Sequence, residues 1–535
     1  MNLINVHSNY SLLQGTIPVE SLIQFAKNRK LTSLALTDTN GIYGSIKFAK
    51  LAQQENIKPV IGATITDLKD ENLSATLIAK NNEGYSLLCQ LITTRKLDEH
   101  FSLVKVLKNY LPDIFIVTSS IELLKSIHSY DNVYSELIST KLTKKSAKEL
   151  FEFSVQKKIK YLASHPVYFL EEDDFIVHKV LRAISLRKTI SNLEESDLLN
   201  PEYCYPDEKK FTKKWSSIPE ALSNTAFIHD NCNIDLRIGE YKFPQYPVSE
   251  NESAYSLLHQ LAFEGLKRRY KKISKQINDR LNYELDVIVK LNFVDYFLVV
   301  WDIVSEAKRR GMMMIGRGSA ANSLVSYCLG FTEVDPVKYD LYFERFLNLG
   351  RTSPPDVDLD FSWKERDEII KYVFEKYGYE RVAMISTTVT FRARSAFREV
   401  AKAFGISDRE VSKYSKFIPW TNAVNLPNLS KLYPESRNLI FESEPWKTIV
   451  KIATRIANFP RFLGIHPGGI VISPGKITDY TALEYAKNKG LGLIVTQPDM
   501  YSIEDLGLVK IDLLSQRSLG VLRDSLKLIK NTSEI

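Results

Sequence analysis

Residues 354–361 read Pro-Pro-Asp-Val-Asp-Leu-Asp-Phe. Asp356, Asp358 and Asp360 alternate there with Val357, Leu359 and Phe361, the period-two pattern of a β-strand with one apolar face. Alternate residues of a strand point to the same side, so the carboxylates crowd together. Like charges at that spacing repel unless a cation relieves them. Hard divalent ions such as Mg²⁺ take oxygen ligands and keep positions open for water and phosphate. Read alone, the segment also fits a solvated acidic edge strand or a single Ca²⁺ site.

Residues 315–323 read Ile-Gly-Arg-Gly-Ser-Ala-Ala-Asn-Ser, between an amphipathic run (296–310) and an apolar one (324–329). Gly316 and Gly318 let the backbone approach a ligand, and Ser319 suits the cap of the helix that follows. Free N–H groups at a helix start, with Arg317 beside them, make a site of the kind phosphate takes. Glycine turns before helices are common, so the segment carries little by itself. The lysine and spacing of a Walker A loop are absent, which argues against an ordinary ATPase loop. Residues 507–514, Gly-Leu-Val-Lys-Ile-Asp-Leu-Leu, form a short apolar strand interrupted by Lys510 and Asp512 on one face. An aspartate buried in such a run needs a partner or a metal. A Lys–Asp pair at a strand edge would satisfy it in isolation. Beside the acidic strand and the glycine loop, Asp512 is favoured as a third metal ligand, and the set suggests metal-assisted nucleotidyl transfer.

Gly-Arg-Gly-Ser (316–319), Asp-Pro-Val-Lys-Tyr-Asp-Leu-Tyr-Phe-Glu-Arg-Phe-Leu-Asn (335–348) and Pro-Asp-Val-Asp-Leu-Asp-Phe (355–361) occur in that order. His-Pro-Gly-Gly-Ile-Val-Ile-Ser-Pro (466–474), Thr-Gln-Pro-Asp (496–499) and Leu-Val-Lys-Ile-Asp (508–512) follow. Together they resemble the palm of the bacterial C-family DNA polymerases, typified by the alpha subunit of DNA polymerase III, and the resemblance extends over essentially the whole chain. It implies an α/β protein with a βα barrel of the polymerase and histidinol-phosphatase (PHP) type over residues 1–245. A polymerase-beta-like nucleotidyltransferase palm would follow in two parts, 250–388 and 466–517, with a helical thumb inserted at 389–465 and the start of a fingers domain at 518–535. The catalytic and metal-binding triad falls on Asp358, Asp360 and Asp512, with Asp356 in support. Two Mg²⁺ ions, dNTP substrate and primer-template DNA are implied. Gly316, Arg317, Gly318 and Ser319 would hold triphosphate oxygens, joined by Arg345, Arg351 and Lys510, for which structural ion pairing is the alternative. Asn322 departs from the glycine usual in the family.

Between the acidic strands runs a basic stretch that includes Arg392, Arg394, Arg398 and Lys402. The last three share one helical face, a stripe that suits a phosphate backbone in a salt-dependent, sequence-neutral way. A solvated helix face is the plainer reading. In the first half, short apolar strands (33–36, 60–62, 76–79, 114–117) alternate with helical patterns, which favours a parallel βα barrel. This half resembles the PHP domain, whose phosphoesterase-competent members begin His-x-His. Here Asn5 stands at the first histidine, before His7. Gln14 replaces an aspartate, Asp38 is kept, Thr39 replaces a histidine and Thr64 a glutamate. By looser alignment Ser74 sits at another histidine position, and Pro166 and Tyr168 replace an aspartate and a histidine. His7 and Asp38 alone make too poor a shell for a metal cluster, and His165 is off register. The domain is therefore expected to have lost phosphoesterase activity and to serve as a scaffold.

A chain of 535 residues has room for two to four domains. The net charge of +7 fits basic DNA-facing surfaces offset by an acidic site. Cys89, Cys204, Cys232 and Cys328 form no CxxC pair, which points to a reducing cytoplasm without structural zinc. The most apolar run, 291–304, is broken by Asp295 and Asp302, so no membrane span is expected. The polar stretch 244–252 is the best domain boundary. In the family, fingers and modules gripping the sliding clamp and template follow the palm, whereas this chain ends soon after Asp512. Either a complementary chain carries those parts, the clamp being reached only through it, or the polypeptide is a truncated product; the sequence fits both. A polymerase-like DNA-binding or scaffold module without catalysis, in a replication or translesion assembly, is the rival reading.

Overall fold

A computed structural model of the chain describes residues 1–250, 252–350, 355, 357–486 and 493–533. Arg351 and Asp356, singled out by the sequence, lie outside the described residues.

The first sheet is made of β1 (Ser33–Leu36), β2 (Lys58–Thr66), β3 (Ser74–Ala79), β4 (Ile114–Thr118), β5 (Val133–Ile138) and β6 (Lys160–Ser164), side by side in sequence order. β4 is buried along its whole length, as strands covered on both faces are. The pairs β1–β2, β4–β5 and β5–β6 are parallel, while β3 runs against both β2 and β4. The expectation of a wholly parallel barrel is corrected at that one strand. Only residues 67–73 join β2 to β3, with no helix among them, and so short a link permits only antiparallel pairing. The N-terminal segment closes the curve. Val6 O accepts from Thr37 N at 2.8 Å just past β1, and His7 N and Asn5 O exchange bonds with Val167 at 2.9 Å just past β6.

The second sheet contains β7 (Met314–Arg317), β8 (Asp358–Ser362), β9 (Val382–Thr390), β10 (Pro460–Ile472), β11 (Leu483–Tyr485), β12 (Ile494–Asp499) and β13 (Lys510–Gln516), in the order β11-β12-β9-β10-β13-β8-β7. The apolar parity of the acidic segment, Val357, Leu359 and Phe361, is fully buried. It shares a core with Phe297, Val300 and Val304 of the helix Val294–Arg309 and with Ile369, Ile370 and Val373 of the helix Arg366–Tyr377. Between β9 and β10 the chain leaves the sheet for a helical excursion, including Ala393–Ala403, Asp408–Ser415 and Trp446–Arg455.

That excursion does not build its core alone. Phe397, Val400 and Ile449 pack with Val177, Val180 and Leu181 from the helix Asp174–Leu186 of the first half. The main core of the first half likewise takes in Val471, Ile477, Leu483 and Ile503 of the second. Polar contacts follow the same seam: Ile42 N donates to Gln497 Oε1 at 3.0 Å, Tyr43 OH to Glu484 Oε2 at 2.6 Å, and Lys50 Nζ meets Asp505 at 2.7 Å.

The helix after the glycine loop starts one turn later than the sequence suggests. Residues 318–322 form a 3₁₀ turn, and Ser323, not Ser319, caps the helix Leu324–Leu329 by accepting from Ser326 N at 3.0 Å. Its N-terminal groups are already occupied. Fully buried Glu284 accepts from Ser323 Oγ at 2.8 Å and Val325 N at 3.0 Å, and pairs with Arg280 at 3.0 Å. Arg280 in turn donates to the Asn322 and Leu341 carbonyls at 2.9 and 2.7 Å. The positive end of this helix is thus neutralised from within and is not the open anion site expected. Glu284→Ala should cost about 3 kcal/mol in urea unfolding, because it strands Arg280 and the helix N-terminus. Glu284→Gln should cost less.

Candidate active site

Parallel pairing of β13 with β8 sets Asp512 opposite Asp358, and antiparallel pairing of β7 with β8 sets Arg317 opposite the same residue. Asp360 follows two residues along β8, on the same side. Groups separated by more than 150 positions in the chain therefore meet on three adjacent strands. Asp360 and Asp512 are each only 6 % exposed. Arg317 Nε lies 3.3 Å from Asp360 Oδ2, its terminal nitrogen 3.7 Å from Asp358 Oδ2, and Lys510 Nζ 2.8 Å from Asp512 Oδ2. Gln516 Nε2 donates to Asp360 Oδ2 at 3.3 Å.

The second oxygens of these carboxylates are less well served. Asp360 Oδ1 and Asp512 Oδ1 are buried and, among the described residues, have no hydrogen-bond partner. His466 Nδ1 comes within 3.6 Å of Asp512 Oδ1, but it accepts from Gly469 N at 2.6 Å. A nitrogen that accepts carries no proton, so this contact is not an ion pair. A buried carboxylate oxygen without a donor costs about 1–3 kcal/mol, and a hard cation is the ligand chemistry that satisfies it. Carboxylate oxygens are the donor type such an ion takes. Among the described residues no three acidic, histidine or cysteine side chains already converge on one point. The positive charge beside the aspartates comes from Arg317 and Lys510.

The two loop glycines have different reasons. A Cβ at Gly316 would overlap the Phe331 carbonyl, so packing alone requires that glycine. Gly318 has φ +77°, and its Cβ would lie 3.6 Å from Asp358 Oδ2. Ser319 and Asn322 belong to the 3₁₀ turn, Asn322 Nδ2 donating to Ser319 O at 3.0 Å. Arg345 is exposed and, among the described residues, has no ion-pair partner. The basic stripe is largely spent inside the helical excursion. Arg394 donates twice to the Ile418 carbonyl, at 2.9 and 2.6 Å, and Arg398 and Lys402 both hold Asp408, at 3.1 and 3.0 Å. Exposed Arg392 makes one long contact, 3.4 Å, with Asn458 Oδ1. Gln516 and His466 were not singled out by the sequence. Gln516 shares the strand parity of Asp512, which was the available signal.

At the strand ends of the first barrel, the degenerate positions are knitted together by hydrogen bonds. Ser8 N, Ser8 Oγ and Ser11 Oγ all donate to Asp38 at 2.7 Å. His7 contacts Asn5 Oδ1 at 2.6 Å and Ser11 Oγ at 3.0 Å, and stacks on Tyr168 with centroids 3.9 Å apart. Asn5 Nδ2 and Ser164 Oγ donate to Glu136 at 2.9 and 2.7 Å, a buried carboxylate the sequence reading missed. It lies on β5, among apolar neighbours that give no motif. Thr64 bonds Thr76 at 3.0 Å, Thr39 Oγ1 is 3.5 Å from His7, and His165 is taken by the Glu202 and Cys204 carbonyls at 2.9 Å. Burial holds His7 down to about 3 and pushes Asp38 up to about 6 against its serine donors, and burial also raises Glu136.

The sign for His7 is clear. Its folded value lies below the ordinary 6.5, so the unfolded chain takes the proton first and stability falls as pH drops below about 6.5. His7→Gln should remove that loss. Its stability relative to wild type should improve by about 2 kcal/mol between pH 7 and pH 5 in urea titrations. Asp38 acts oppositely, favouring the folded state on acidification from pH 6 toward 4, but is common to both proteins.

Two family models match the chain. Residues 256–515 match the model of the bacterial DNA polymerase III alpha NTPase domain, and residues 4–163 match that of the PHP domain. The chain therefore belongs with the bacterial C-family DNA polymerases, as an alpha-subunit-like N-terminal portion. It is 33 % identical over 99 % of its length to the DNA polymerase III subunit alpha of Bacillus subtilis, covering 50 % of that protein. It is 31 % identical over 98 % of its length to the error-prone DNA polymerase of Symbiobacterium thermophilum, covering 52 %, and 30 % identical over 98 % to the Aquifex aeolicus alpha subunit, again covering 52 %. The chain thus spans about half the length of the curated relatives it matches. Among the described residues no helix is long and apolar enough to cross a membrane.

Proposed function

We propose that this chain carries the catalytic centre of a DNA-directed DNA polymerase, transferring nucleotides from dNTP to a primer 3′-hydroxyl in replication or repair. The observation that carries the reading is the β8–β13 register, which sets Asp358, Asp360 and Asp512 on one side of adjacent strands, with two buried carboxylate oxygens lacking donors among the described residues. In this reading the second sheet is the palm, the excursion between β9 and β10 the thumb, and the helix Arg517–Ser533 the first of the fingers.

Asp358, Asp360 and Asp512 would hold a pair of Mg²⁺ ions. Such ions lower the pKa of an attacking hydroxyl and offset charge on the triphosphate. The chain's own cations complement them. Arg317 and Lys510 balance the aspartates in the free protein, and Arg317, half-exposed at 51 %, can fork onto phosphate oxygens once metal neutralises those carboxylates. Gly318, at positive φ beside Asp358, keeps the loop backbone free of side chain where phosphate would enter. The first barrel is a scaffold in this reading, its acidic groups bound by serine and asparagine. The part corresponding to the other half of the relatives, on this polypeptide or another, would supply the remaining fingers and the contacts to the clamp.

Primer extension with Mg²⁺, the chain being supplemented with that complementary half, tests the reading. Asp358→Ala and Asp512→Asn should each lower the rate by on the order of a hundredfold or more, and extension unchanged by either would reject the site. Mg²⁺ should also raise the wild-type melting temperature and leave Asp358→Ala nearly unmoved. Binding of DNA with no extension under any supplement would favour a non-catalytic DNA-binding module.

A further inference from the structure

The helical excursion presents an aromatic side chain for which the catalytic site has no use. Trp420 is 90 % exposed, whereas Trp215 and Trp446 are at 7 % each. The backbone on both sides of it is held by hydrogen bonds. Arg394 clamps the Ile418 carbonyl with two hydrogen bonds, and Ser436 Oγ donates to the Phe417 carbonyl at 2.8 Å. Ile418 itself is fully buried, Pro419 restricts its own φ, and Thr421 O accepts from Ala393 N at 3.0 Å. The Thr421 hydroxyl is held in addition by Asn425 and Tyr433, both at 2.8 Å. The ring is therefore displayed on a rigid mount, and Arg394 is one of its supports.

The helix that leads into this segment carries a stripe of cations. Along the helix Asp408–Ser415 and its C-cap Lys416, the exposed residues Arg409, Lys413 and Lys416 fall within about 60° of one another at 100° per residue. Among the described residues Arg409 and Lys413 have no ion-pair partner. Asp408 is already bound by Arg398 and Lys402, and exposed Glu410 flanks the stripe, about 60° from Lys413 and 120° from Lys416. Lys416 Nζ sits 4.8 Å over the Phe417 ring, which leaves Trp420 as the open π face of the group. Cations that track a backbone, followed by an aromatic platform, are the means by which proteins hold unpaired nucleotides.

We infer that Trp420, with Arg409, Lys413 and Lys416, forms a binding site for single-stranded DNA, one unpaired base stacking on the indole while the cations face the phosphates. The inference rests on the polymerase reading and adds to it a place where unpaired strand is gripped away from the aspartates. It is tested with the full chain, using fluorescence anisotropy of a labelled oligothymidylate and of a blunt duplex of equal length. Trp420→Ala should weaken oligothymidylate binding about tenfold and leave the duplex unaffected, Trp420→Phe should retain most of the affinity, and indole quenching on titration should vanish with Trp420. Lys413→Ala with Lys416→Ala should reduce the slope of log affinity against log salt by about 1.4. Because the ring is exposed, the urea midpoint of Trp420→Ala should match wild type. Oligothymidylate binding unchanged in Trp420→Ala overturns the inference and leaves the polymerase reading standing. Equal weakening on blunt duplex overturns the single-strand assignment. Failure of the wild type to bind either DNA removes both.

Discussion

The pairing of β13 with β8 is the contact on which the rest depends. Because it is parallel, it needs a long crossover, and the chain between the two strands supplies one that contains β9, the helical excursion, β10, β11 and β12. Slipping the register by one residue would turn Asp512 toward the helices and expose Ile511 and Leu513. Burial of those two residues, at 3 % and 0 % exposure, therefore fixes the acidic geometry. The apolar face sets where the charges stand, and the charges contribute repulsion that Arg317, Lys510 and Gln516 relieve in part.

Much of this was legible in residue order. Alternation in 357–361 gave both the strand and its buried face, and Lys510 and Asp512 were expected on one side of another strand, where they form a 2.8 Å pair. What could not be read was partnership across the chain. Nothing in the glycine loop announces that Glu284, more than thirty residues upstream, fills the N-terminus of the following helix. Nor does the spacing of Arg394, Arg398 and Lys402 reveal that the next turn of chain provides a carbonyl and Asp408 to absorb them. Periodicity fixes a face, and it does not say what lies opposite.

The first barrel shows the same limit from another side. Asn5, Thr39 and Thr64 led to the expectation that no metal cluster is held there, but did not indicate which hydrogen bonds these positions make. Serine and asparagine donors now surround Asp38 and Glu136, while His7 stays neutral between Asn5, Ser11 and the Tyr168 ring. Two carboxylates and an imidazole have been kept as internal polar ties. Such a network is costly if half satisfied and rigid when complete.

The shared cores have a consequence for how the molecule comes apart. Val177, Val180 and Leu181 close the base of the helical excursion, and Leu483 and Ile503 close the flank of the barrel. Neither half can be excised along the chain without opening a hydrophobic wound in the other. A shortened version lacking the barrel would begin life with an aggregation-prone face.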